Sequence, residues 1–268
     1  MDGLNEVAAR GLVLLGCGKM GSALLRGWLA GGLPPASVHV LEPHPSEWLL
    51  ATGARMNAPL PPAPAVALVA VKPQMMGEAL PAMAALGGGP TLLLSIAAGT
   101  PLAAFEAAFG PGTPVVRAMP NTPAAIGKGI TAVVGNAHAT EAHVALAEAL
   151  LGVVGEVVRV ASEDAIDAVT GVSGSGPAYV FHLIEALAQA GAAEGLPPGL
   201  ALRLARATVA GAGALAMETG EDPAQLRRDV TSPNGTTQAG LEVLMAELPD
   251  LVARTVRAAT TRATELRG

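Results

Sequence analysis

The glycine pattern Gly16-x-Gly18-x-x-Gly21 limits what this chain can fold into more than any other feature of its sequence. It follows the apolar run Leu12–Leu15 and opens a helical stretch over 19–30. A strand, a turn with this spacing and a helix are typical of a dinucleotide site, in which the pyrophosphate faces the free N–H groups of the helix. An ordinary glycine-rich turn is the alternative. The predicted cofactor-binding turn comprises Gly16, Cys17, Gly18, Lys19, Met20 and Gly21.

Strands and helices alternate along the first part of the chain. Apolar runs predict buried strands at 12–15, 38–41, 65–71, 91–97 and 115–118, and two further strands at 129–135 and 153–160. Helices are predicted between several of them, at 19–30, 74–86, 100–108 and 140–151. This alternation is typical of an α/β fold with a parallel sheet and helices on both faces.

The pattern changes at about residue 163, after which no convincing strand remains. Helices are predicted at 163–172, 177–194, 199–218, 222–230, 236–247 and 249–266. The sequence therefore predicts a dinucleotide-binding domain over 1–161 and an all-helical domain over 162–268. Helices this rich in Ala and Gly bury little area alone, which favours dimerisation.

Composition and charge exclude several classes of protein. A net charge of −6 and only 2% aromatic residues argue against a nucleic-acid partner. The chain is 51% apolar, but no stretch approaches about 18 uninterrupted apolar residues, and the first residues do not resemble a signal peptide. Cys17 is the only cysteine, and no histidines stand at metal-ligand spacing. We therefore expect a cytoplasmic enzyme without a nucleic-acid partner, a membrane partner or a metal.

Glu42 is the candidate for recognition of the adenosine ribose. It lies 21 residues after Gly21 and directly follows the apolar run 38–41. A carboxylate at this place accepts hydrogen bonds from both ribose hydroxyls, which favours NAD, whereas a 2′-phosphate would meet like charge. A solvated loop carboxylate is the alternative interpretation.

Two further segments are candidates for the cofactor site. Val71-Lys72-Pro73 places a lysine at the carboxyl end of a predicted strand, which is the ligand-binding edge of such a sheet. Ser95-Ile96-Ala97-Ala98-Gly99 ends another predicted strand with small residues, and these leave room for the nicotinamide ribose.

Two clusters of small residues in the helical part are candidates for the substrate site. Ser173–Pro177 and Thr231–Thr237 each precede a predicted helix, whose free N–H groups can bind a carboxylate. Plain N-capping by Ser and Thr is the alternative. No lysine follows Lys128, which disfavours a hydroxyacid dehydrogenase with a lysine in its helical domain. A carboxylate-bearing imine fits better, because its protonated C=N bond needs little further activation.

With these motifs in this order, the chain resembles the pyrroline-5-carboxylate reductases along essentially its whole length. The segments that carry the resemblance are Gly16–Gly21, Val71–Pro73, Ser95–Gly99, Arg117–Pro123, Ser173–Tyr179 and Asp229–Ala239. The last of these segments, which begins the stretch DVTSPNGTTQAGL, is the most specific. The resemblance implies a Rossmann domain followed by a helical dimerisation domain, with homodimers assembled into a decamer. It implies reduction of 1-pyrroline-5-carboxylate to L-proline by NADPH or NADH, the last step of proline biosynthesis.

The resemblance also implies roles for single residues. Thr237 would be the catalytic hydroxyl that hydrogen-bonds the ring nitrogen of the substrate. The other implied substrate-binding residues are Glu163, Ser173, Gly174, Ser175, Gly235 and Thr236. Asn57, Val71, Lys72, Pro73, Ala97 and Ala98 would contact the cofactor. Members of the family often carry a small hydroxyl or basic residue where this chain has Glu42, so the choice between NADPH and NADH stays open.

Overall fold

One eight-stranded sheet organises the first part of the molecule in this computed structural model, which describes residues 2–267. The strands are β1 (Leu12–Leu15), β2 (Val38–Leu41), β3 (Arg55–Met56), β4 (Val66–Val69), β5 (Leu92–Ser95), β6 (Val115–Met119), β7 (Gly129–Gly135) and β8 (Gly155–Arg159). Their order in the sheet is β3-β2-β1-β4-β5-β6-β7-β8. All neighbouring pairs are parallel except β6 and β7. The predicted α/β class is confirmed.

The strand order reverses at β1, which lies between β2 and β4. Leu15 is the register partner of both Leu41 and Val69, so these three strands end at the same edge of the sheet. In open parallel sheets, ligands bind outside the carboxyl ends of the strands at such a reversal. The residues that directly follow these strands are therefore placed at the ligand-binding edge.

Eleven α-helices lie among the described residues 2–267. They are α1 (Asp2–Arg10), α2 (Lys19–Ala30), α3 (Glu47–Leu50), α4 (Met76–Ala79), α5 (Leu102–Phe109), α6 (Glu141–Leu151), α7 (Asp164–Val169), α8 (Gly176–Ala193), α9 (Pro198–Thr219), α10 (Pro223–Asp229) and α11 (Thr236–Arg267). A π-helix over Thr170–Gly174 joins α7 to the start of α8. The predicted helical second part is confirmed.

Apolar helix faces cover both sides of the sheet. On one side, Trp28 and Leu24 of α2 and Leu150 of α6 pack with alternate residues of β1, such as Leu14. On the other side, Phe105 of α5 belongs to the cluster formed by the remaining β1 residues and their neighbours. Parallel strands buried on both faces consist of nearly continuous apolar residues, which is why their sequence runs predict their bounds well.

The chain divides into two compact units. The first contains the sheet and extends to Gly174, and the residues from Ala259 onward belong to it as well. The second comprises Ser175–Ala258 and consists of helices. The last helix, α11, thus begins in one unit and ends in the other. The domain boundary predicted at 161/162 remains a prediction. The two compact units divide after Gly174 instead.

The last helix differs from the prediction of two helices over 236–247 and 249–266. The structure has a single helix, α11, with Pro249 in its interior. Proline lacks the N–H that would bond to the carbonyl four residues earlier, and the sequence therefore suggested a break. The helix continues because strong helix formers, mainly Ala, Leu, Glu and Arg, surround the proline.

Four other elements also differ from the prediction. The helix predicted over 74–86 consists of the short α4 between two 3₁₀ segments. The helices α1 and α3 and the two-residue strand β3 were not predicted. Two residues are too few for a periodic pattern, so β3 has no signal in the sequence alone.

Among the described residues, one helix is long enough and apolar enough to cross a membrane, judged by length and composition alone. This is α9, and few of its residues are buried. Core helices of globular proteins meet the same two conditions, so the finding is weak evidence for a membrane span.

The indole of Trp28 joins α2 to the end of α6, and its replacement tests that contact. Trp28 is fully buried, and its Nε1 donates to the carbonyl oxygen of Leu150 at 2.8 Å. This carbonyl lies in the last turn of α6, where no N–H of the same helix reaches it. We expect Trp28→Phe to lower the free energy of unfolding by about 1–3 kcal/mol, because the carbonyl loses its donor.

Trp48 provides the matched control for this prediction. Its half-buried ring lies 3.6 Å from the Arg26 guanidinium, a contact that a phenyl ring preserves. We expect Trp48→Phe to cost less than about 1 kcal/mol. Urea unfolding followed by circular dichroism measures both variants. Equal losses in the two variants would contradict a specific role for the Trp28 hydrogen bond.

Candidate functional site

The turn after β1 leaves no space for a side chain at its first position. Gly16 has φ +85°, and its N–H donates to the carbonyl oxygen of Leu41 at 2.9 Å. A Cβ at Gly16 would lie 2.8 Å from Cγ1 of Val71 and 3.1 Å from the backbone of Ala70. Both the backbone conformation and the space therefore require glycine here.

The other two glycines of the turn differ from each other in their surroundings. A Cβ at Gly21 would lie 2.7 Å from the carbonyl oxygen of Gly16, so α2 starts in direct contact with the turn. At Gly18, no heavy atom of the described residues lies within 4 Å of the Cβ position. The open space beside Gly18 and the free first-turn N–H groups of α2 fit a bound pyrophosphate. The structure thus brings the predicted turn, including Lys19 and Met20, to the edge where β1 ends.

The Glu42 carboxylate is turned toward this glycine turn rather than into solvent. Its Oε2 accepts from the N–H of Cys17 at 2.9 Å, and its Oε1 accepts from the N–H of His44 at 3.0 Å. Burial raises the pKa of the Cys17 thiol, and the negative charge of Glu42 contributes to the same shift. The turn therefore holds a neutral thiol at neutral pH.

Asn57 fixes the backbone of Glu42. Its Oδ1 accepts from the N–H of Glu42 at 3.0 Å, and its Nδ2 donates to the carbonyl oxygen of Glu42 at 3.0 Å. Asn57 itself has φ +47°, a left-handed conformation that asparagine tolerates better than most residues. The two predicted cofactor residues after β2 and β3 are thus neighbours joined by hydrogen bonds.

The segments after β4 and β5 lie at the same sheet edge. Val69 is the register partner of Ser95, so Val71–Pro73 and Ala97–Ala98 follow strands that end together. Lys72 and Ala98 are exposed, and Ala97 is buried with its N–H donating to Oγ of Ser95 at 3.2 Å. These predicted cofactor residues therefore follow strands that end at the same sheet edge as the strand before the glycine turn.

Glu163 is held by two donors on one of its oxygens. Oε1 accepts from Nη1 of Arg117 at 2.7 Å and from the N–H of Leu102 at 2.8 Å. Arg117 lies in β6 and is 2% exposed, whereas the Glu163 side chain is 23% exposed. The motifs of the sequence predict no role for Arg117 by itself. The sequence nevertheless contains a signal for a role of Arg117, because a charged residue inside an otherwise apolar strand requires a partner of opposite charge.

Ser173–Ser175 lead from the π-helix into α8, and Ser175 is the N-cap residue of α8. Ser173 and Gly174 end the π-helix, and Oγ of Ser173 donates to the carbonyl oxygen of Val169 at 3.1 Å. The carbonyl oxygen of Ser173 accepts from Nδ2 of Asn121 at 3.2 Å. A Cβ at Gly174 would lie 2.7 Å from Cε of Met119. The segment is therefore fixed against the loop after β6, and π-helices of this kind are frequent at functional sites.

The second cluster, Thr231–Thr237, forms a tight turn into α11. Asn234 has φ +57°, and the N–H of Gly235 donates to the carbonyl oxygen of Ser232 at 3.1 Å. The N–H of Ala239 bonds to the carbonyl oxygen of Gly235 at 3.2 Å. The N–H groups of Thr236 and Thr237 precede this bond, so α11 itself offers them no acceptor. Both threonines are exposed.

Comparison with known proteins identifies relatives that match nearly the whole chain. A pyrroline-5-carboxylate reductase of Pseudomonas aeruginosa is 38% identical over 262 residues, which cover 95% of this chain and 96% of that protein. The solved structure of a pyrroline-5-carboxylate reductase from Coxiella burnetii superposes with a TM-score of 0.90 at 33% identity, covering 97% of this chain and 99% of that one. That of a Plasmodium falciparum pyrroline carboxylate reductase with NADP bound has a TM-score of 0.82 at 26% identity, covering 96% and 98% of the two chains.

Two family models match separate parts of the chain. Residues 163–266 match the model described as pyrroline-5-carboxylate reductase dimerisation. Residues 11–99 match the model described as NADP oxidoreductase, coenzyme F420-dependent. The second match contains the glycine turn and most of the edge residues described above.

The contrast between Gly18 and Gly21 leads to a prediction about the turn. Gly18 has φ −69° and open space at its Cβ position, so Gly18→Ala adds a methyl group without strain in the protein. We expect this variant to unfold at the same urea concentration as the wild type. Because the methyl group occupies the space assigned to the pyrophosphate, we expect it to weaken NADH binding about tenfold or more.

Gly21→Ala is the comparison variant. Its methyl group would meet the carbonyl oxygen of Gly16, and we expect a loss of about 1–3 kcal/mol in the free energy of unfolding. Urea unfolding and titration of NADH fluorescence measure the two properties separately. If Gly18→Ala bound NADH as tightly as the wild type, the pyrophosphate would not lie against Gly18.

Proposed function

The chain belongs to the pyrroline-5-carboxylate reductase family, and from this membership we propose how its own residues carry out the reaction. It is an NAD(P)H-dependent oxidoreductase of proline biosynthesis that reduces 1-pyrroline-5-carboxylate to L-proline. The observation that carries the residue assignments is the first turn of α11, where exposed threonines and free N–H groups follow a tight turn.

The first turn of α11 binds the substrate carboxylate in this proposal. The N–H groups of Thr236 and Thr237 lie at the positive end of the longest helix, and such a position favours an anion, whereas the N–H of Gly235 already donates to the carbonyl oxygen of Ser232. The Thr237 hydroxyl hydrogen-bonds the ring nitrogen. A hydroxyl suits this task because it can donate and accept, whichever protonation state the nitrogen has.

The remaining substrate contacts come from Glu163 and from Ser173–Ser175. The charge of the Glu163 carboxylate favours a protonated ring nitrogen, which makes the adjacent carbon a better hydride acceptor. Ser173 and Gly174 are held in place by Asn121 and Met119, as described above. This fixed backbone favours one orientation of a small, flat substrate.

The dinucleotide, when bound, supplies the hydride. The residues that would hold it are Gly16, Cys17, Gly18, Lys19, Met20, Gly21, Glu42, Asn57, Val71, Lys72, Pro73, Ala97 and Ala98. The open space at Gly18 supports this assignment, because it is the one position of the three glycines where a ligand can approach the backbone. Lys72 is the cation among these residues that is exposed at the end of a central strand.

Glu42 gives this chain a preference for NADH over NADPH in our proposal. The N–H groups of Cys17 and His44 fix the carboxylate, so it cannot easily turn away from a ligand. Its free lone pairs suit the two ribose hydroxyls of NADH, whereas the 2′-phosphate of NADPH would meet a negative charge.

A homodimer, assembled into a decamer in the cytoplasm, is the proposed form of the protein. Residues 163–266 match the dimerisation model of the family. Apolar side chains on the helices of the second unit are largely exposed in the single chain, among them Phe181, Leu183, Leu215, Met217, Val243 and Val252. Many exposed apolar side chains on the helices of one unit are typical of an interface with a second chain.

One assay tests the proposed function. The purified protein is mixed with 1-pyrroline-5-carboxylate and either NADH or NADPH, and the loss of absorbance at the reduced nicotinamide band is followed. Pyrroline-2-carboxylate and 3-hydroxy acids serve as comparison substrates. Turnover with 1-pyrroline-5-carboxylate well above the others supports the proposal, and cofactor binding without turnover of any imine contradicts it.

Thr237→Val tests the assigned catalytic hydroxyl. Valine keeps the shape of threonine and removes the hydrogen bond to the ring nitrogen. We expect kcat/KM for 1-pyrroline-5-carboxylate to fall about 100-fold or more, while the dissociation constant of NADH stays within about twofold. Thr237→Ser, which keeps the hydroxyl, should retain most of the activity.

Thr255 provides a control in the same helix. Its hydroxyl donates to the carbonyl oxygen of Leu251 at 2.8 Å, within α11. Thr255→Val should leave kcat/KM unchanged. Unchanged turnover of Thr237→Val would remove Thr237 from the catalytic site.

Glu42→Gln tests the cofactor preference. Glutamine keeps the size and one acceptor oxygen of the side chain and removes its charge. We expect the ratio of kcat/KM for NADH to that for NADPH to fall about tenfold, which corresponds to about 1.4 kcal/mol. Glu47→Gln, in the first turn of α3, is the matched control and should leave the ratio unchanged. A wild-type preference for NADPH, unaffected by Glu42→Gln, would refute the role of Glu42.

A further inference from the structure

Arg117 is a buried cation in the middle of an apolar strand. Its neighbours in β6 are Val115, Val116 and Ala118, all buried, and Arg117 itself is only 2% exposed. An arginine cannot lose its charge at physiological pH, so its burial is costly unless an anion compensates for it. A strand position of this kind is normally filled by an apolar side chain, and the arginine therefore needs an explanation.

The anion that compensates for this charge is Glu163. Nη1 of Arg117 donates to Oε1 of Glu163 at 2.7 Å, and the N–H of Leu102 donates to the same oxygen at 2.8 Å. Leu102 is the first residue of α5, whose start lacks a side-chain cap from Pro101. Two donors thus converge on a single carboxylate oxygen and fix its position.

The second oxygen of Glu163 is in a different situation. Among the described residues, no side chain or backbone group donates to Oε2. The Glu163 side chain is 23% exposed although its partner is buried. The carboxylate is therefore fixed through one oxygen and offers the other to whatever lies beside it.

The pair lies next to the predicted nicotinamide end of the cofactor site. Arg117 is the register partner of Ser95, the last residue of β5. Ser95 directly precedes Ile96 and the two alanines assigned to the cofactor, and its Oγ accepts from the N–H of Ala97. The position of the Glu163 carboxylate is therefore fixed by Arg117, which lies on the strand next to β5 and pairs there with Ser95.

We propose that Arg117 is a positioning residue for the reaction: it fixes Glu163 so that Oε2 faces the protonated ring nitrogen of the substrate. This inference rests on the proposed function, because it takes Glu163 to be part of the substrate site. Arg117 contacts neither substrate nor cofactor. It acts by holding the carboxylate in place and by selecting one orientation of its two oxygens.

A purely structural role for the pair would have different consequences. Arg159 shows what such a role looks like: it is exposed on β8 and joins Glu141 and Glu148 with bonds of 2.6–2.8 Å. In that network, two carboxylates bind the same guanidinium, and none of the three charged groups is buried. If Arg117 only joined β6 to α7 and α5, its replacement would change stability alone.

A double-mutant cycle with Arg117→Gln and Glu163→Gln tests the proposal. We expect each single variant to lower kcat/KM for 1-pyrroline-5-carboxylate on the order of 100-fold, as a misplacement of about 1 Å can do. Because Arg117 acts through Glu163, the double variant should lose no more than the Glu163→Gln variant alone. The dissociation constant of NADH should stay within about twofold in all three variants.

Two further variants keep the test decisive. Arg117→Lys retains a cation without the planar fork, and we expect it to recover part of the activity. If Arg117→Gln fails to fold, Arg117→Lys takes its place in the cycle. Arg159→Gln is the matched control and should keep the wild-type kcat/KM even where it lowers the unfolding midpoint.

The outcomes separate this inference from the proposed function. If the wild type does not reduce 1-pyrroline-5-carboxylate, the proposed function fails. If the wild type is active and the losses of Arg117 and Glu163 variants multiply in the double variant, or if Arg117 variants keep full activity, the positioning role is overturned. Non-additive losses with unchanged NADH binding support it.

Discussion

Close backbone contact at one edge of the sheet is the constraint on which the dinucleotide end of this molecule depends. The carbonyl oxygen of Gly16 lies only 2.7 Å from the position that a Cβ of Gly21 would take, and the backbone of Ala70 lies 3.1 Å from the position that a Cβ of Gly16 would take. With two side chains absent, β1, β4 and the start of α2 come together without a gap. The first-turn N–H groups of α2 then face the space beside Gly18, which no residue of the described chain fills. The absence of side chains at Gly16 and Gly21 thus allows the close contact, and the absence of one at Gly18 leaves space for a ligand.

Two glutamates at this edge are oriented by backbone N–H groups, and the difference between them fits the different roles proposed for them. Glu42 uses both oxygens, one for Cys17 and one for His44, so its position is fixed from two directions. Glu163 uses only Oε1, and its second donor is the buried guanidinium of Arg117. A carboxylate bound through both oxygens acts as a fixed charge, which suits discrimination between dinucleotides. A carboxylate with one free oxygen can form a new, directed hydrogen bond, which suits a substrate.

Much of the fold follows from the sequence, and the exceptions have physical causes. The strands β1, β2, β4, β5 and β6 were predicted closely because buried strands of a parallel sheet are short apolar runs between polar turns. Pro249 suggested a helix end and instead lies inside α11, because the loss of one hydrogen bond does not outweigh the surrounding helix formers. The π-helix at Thr170–Gly174 has no periodic signal, since its period departs from 3.6 over only five residues.

The candidate site shows the same division between local and distant information. The glycine turn and the turn before α11 are local patterns, and each lies in the structure at the start of the helix that the sequence indicated. The hydrogen bond between Glu42 and Cys17 and the pairing of Arg117 with Glu163 join residues far apart in the chain, and no spacing rule connects them. For Arg117 the sequence does contain half of the argument: a charge that cannot be removed, within a strand that must be buried, implies an anion nearby. It does not say which of the 22 acidic residues that anion is. The fold selects Glu163, and because this residue starts α7 rather than lying in the sheet, its carboxylate can satisfy a buried cation and still reach solvent.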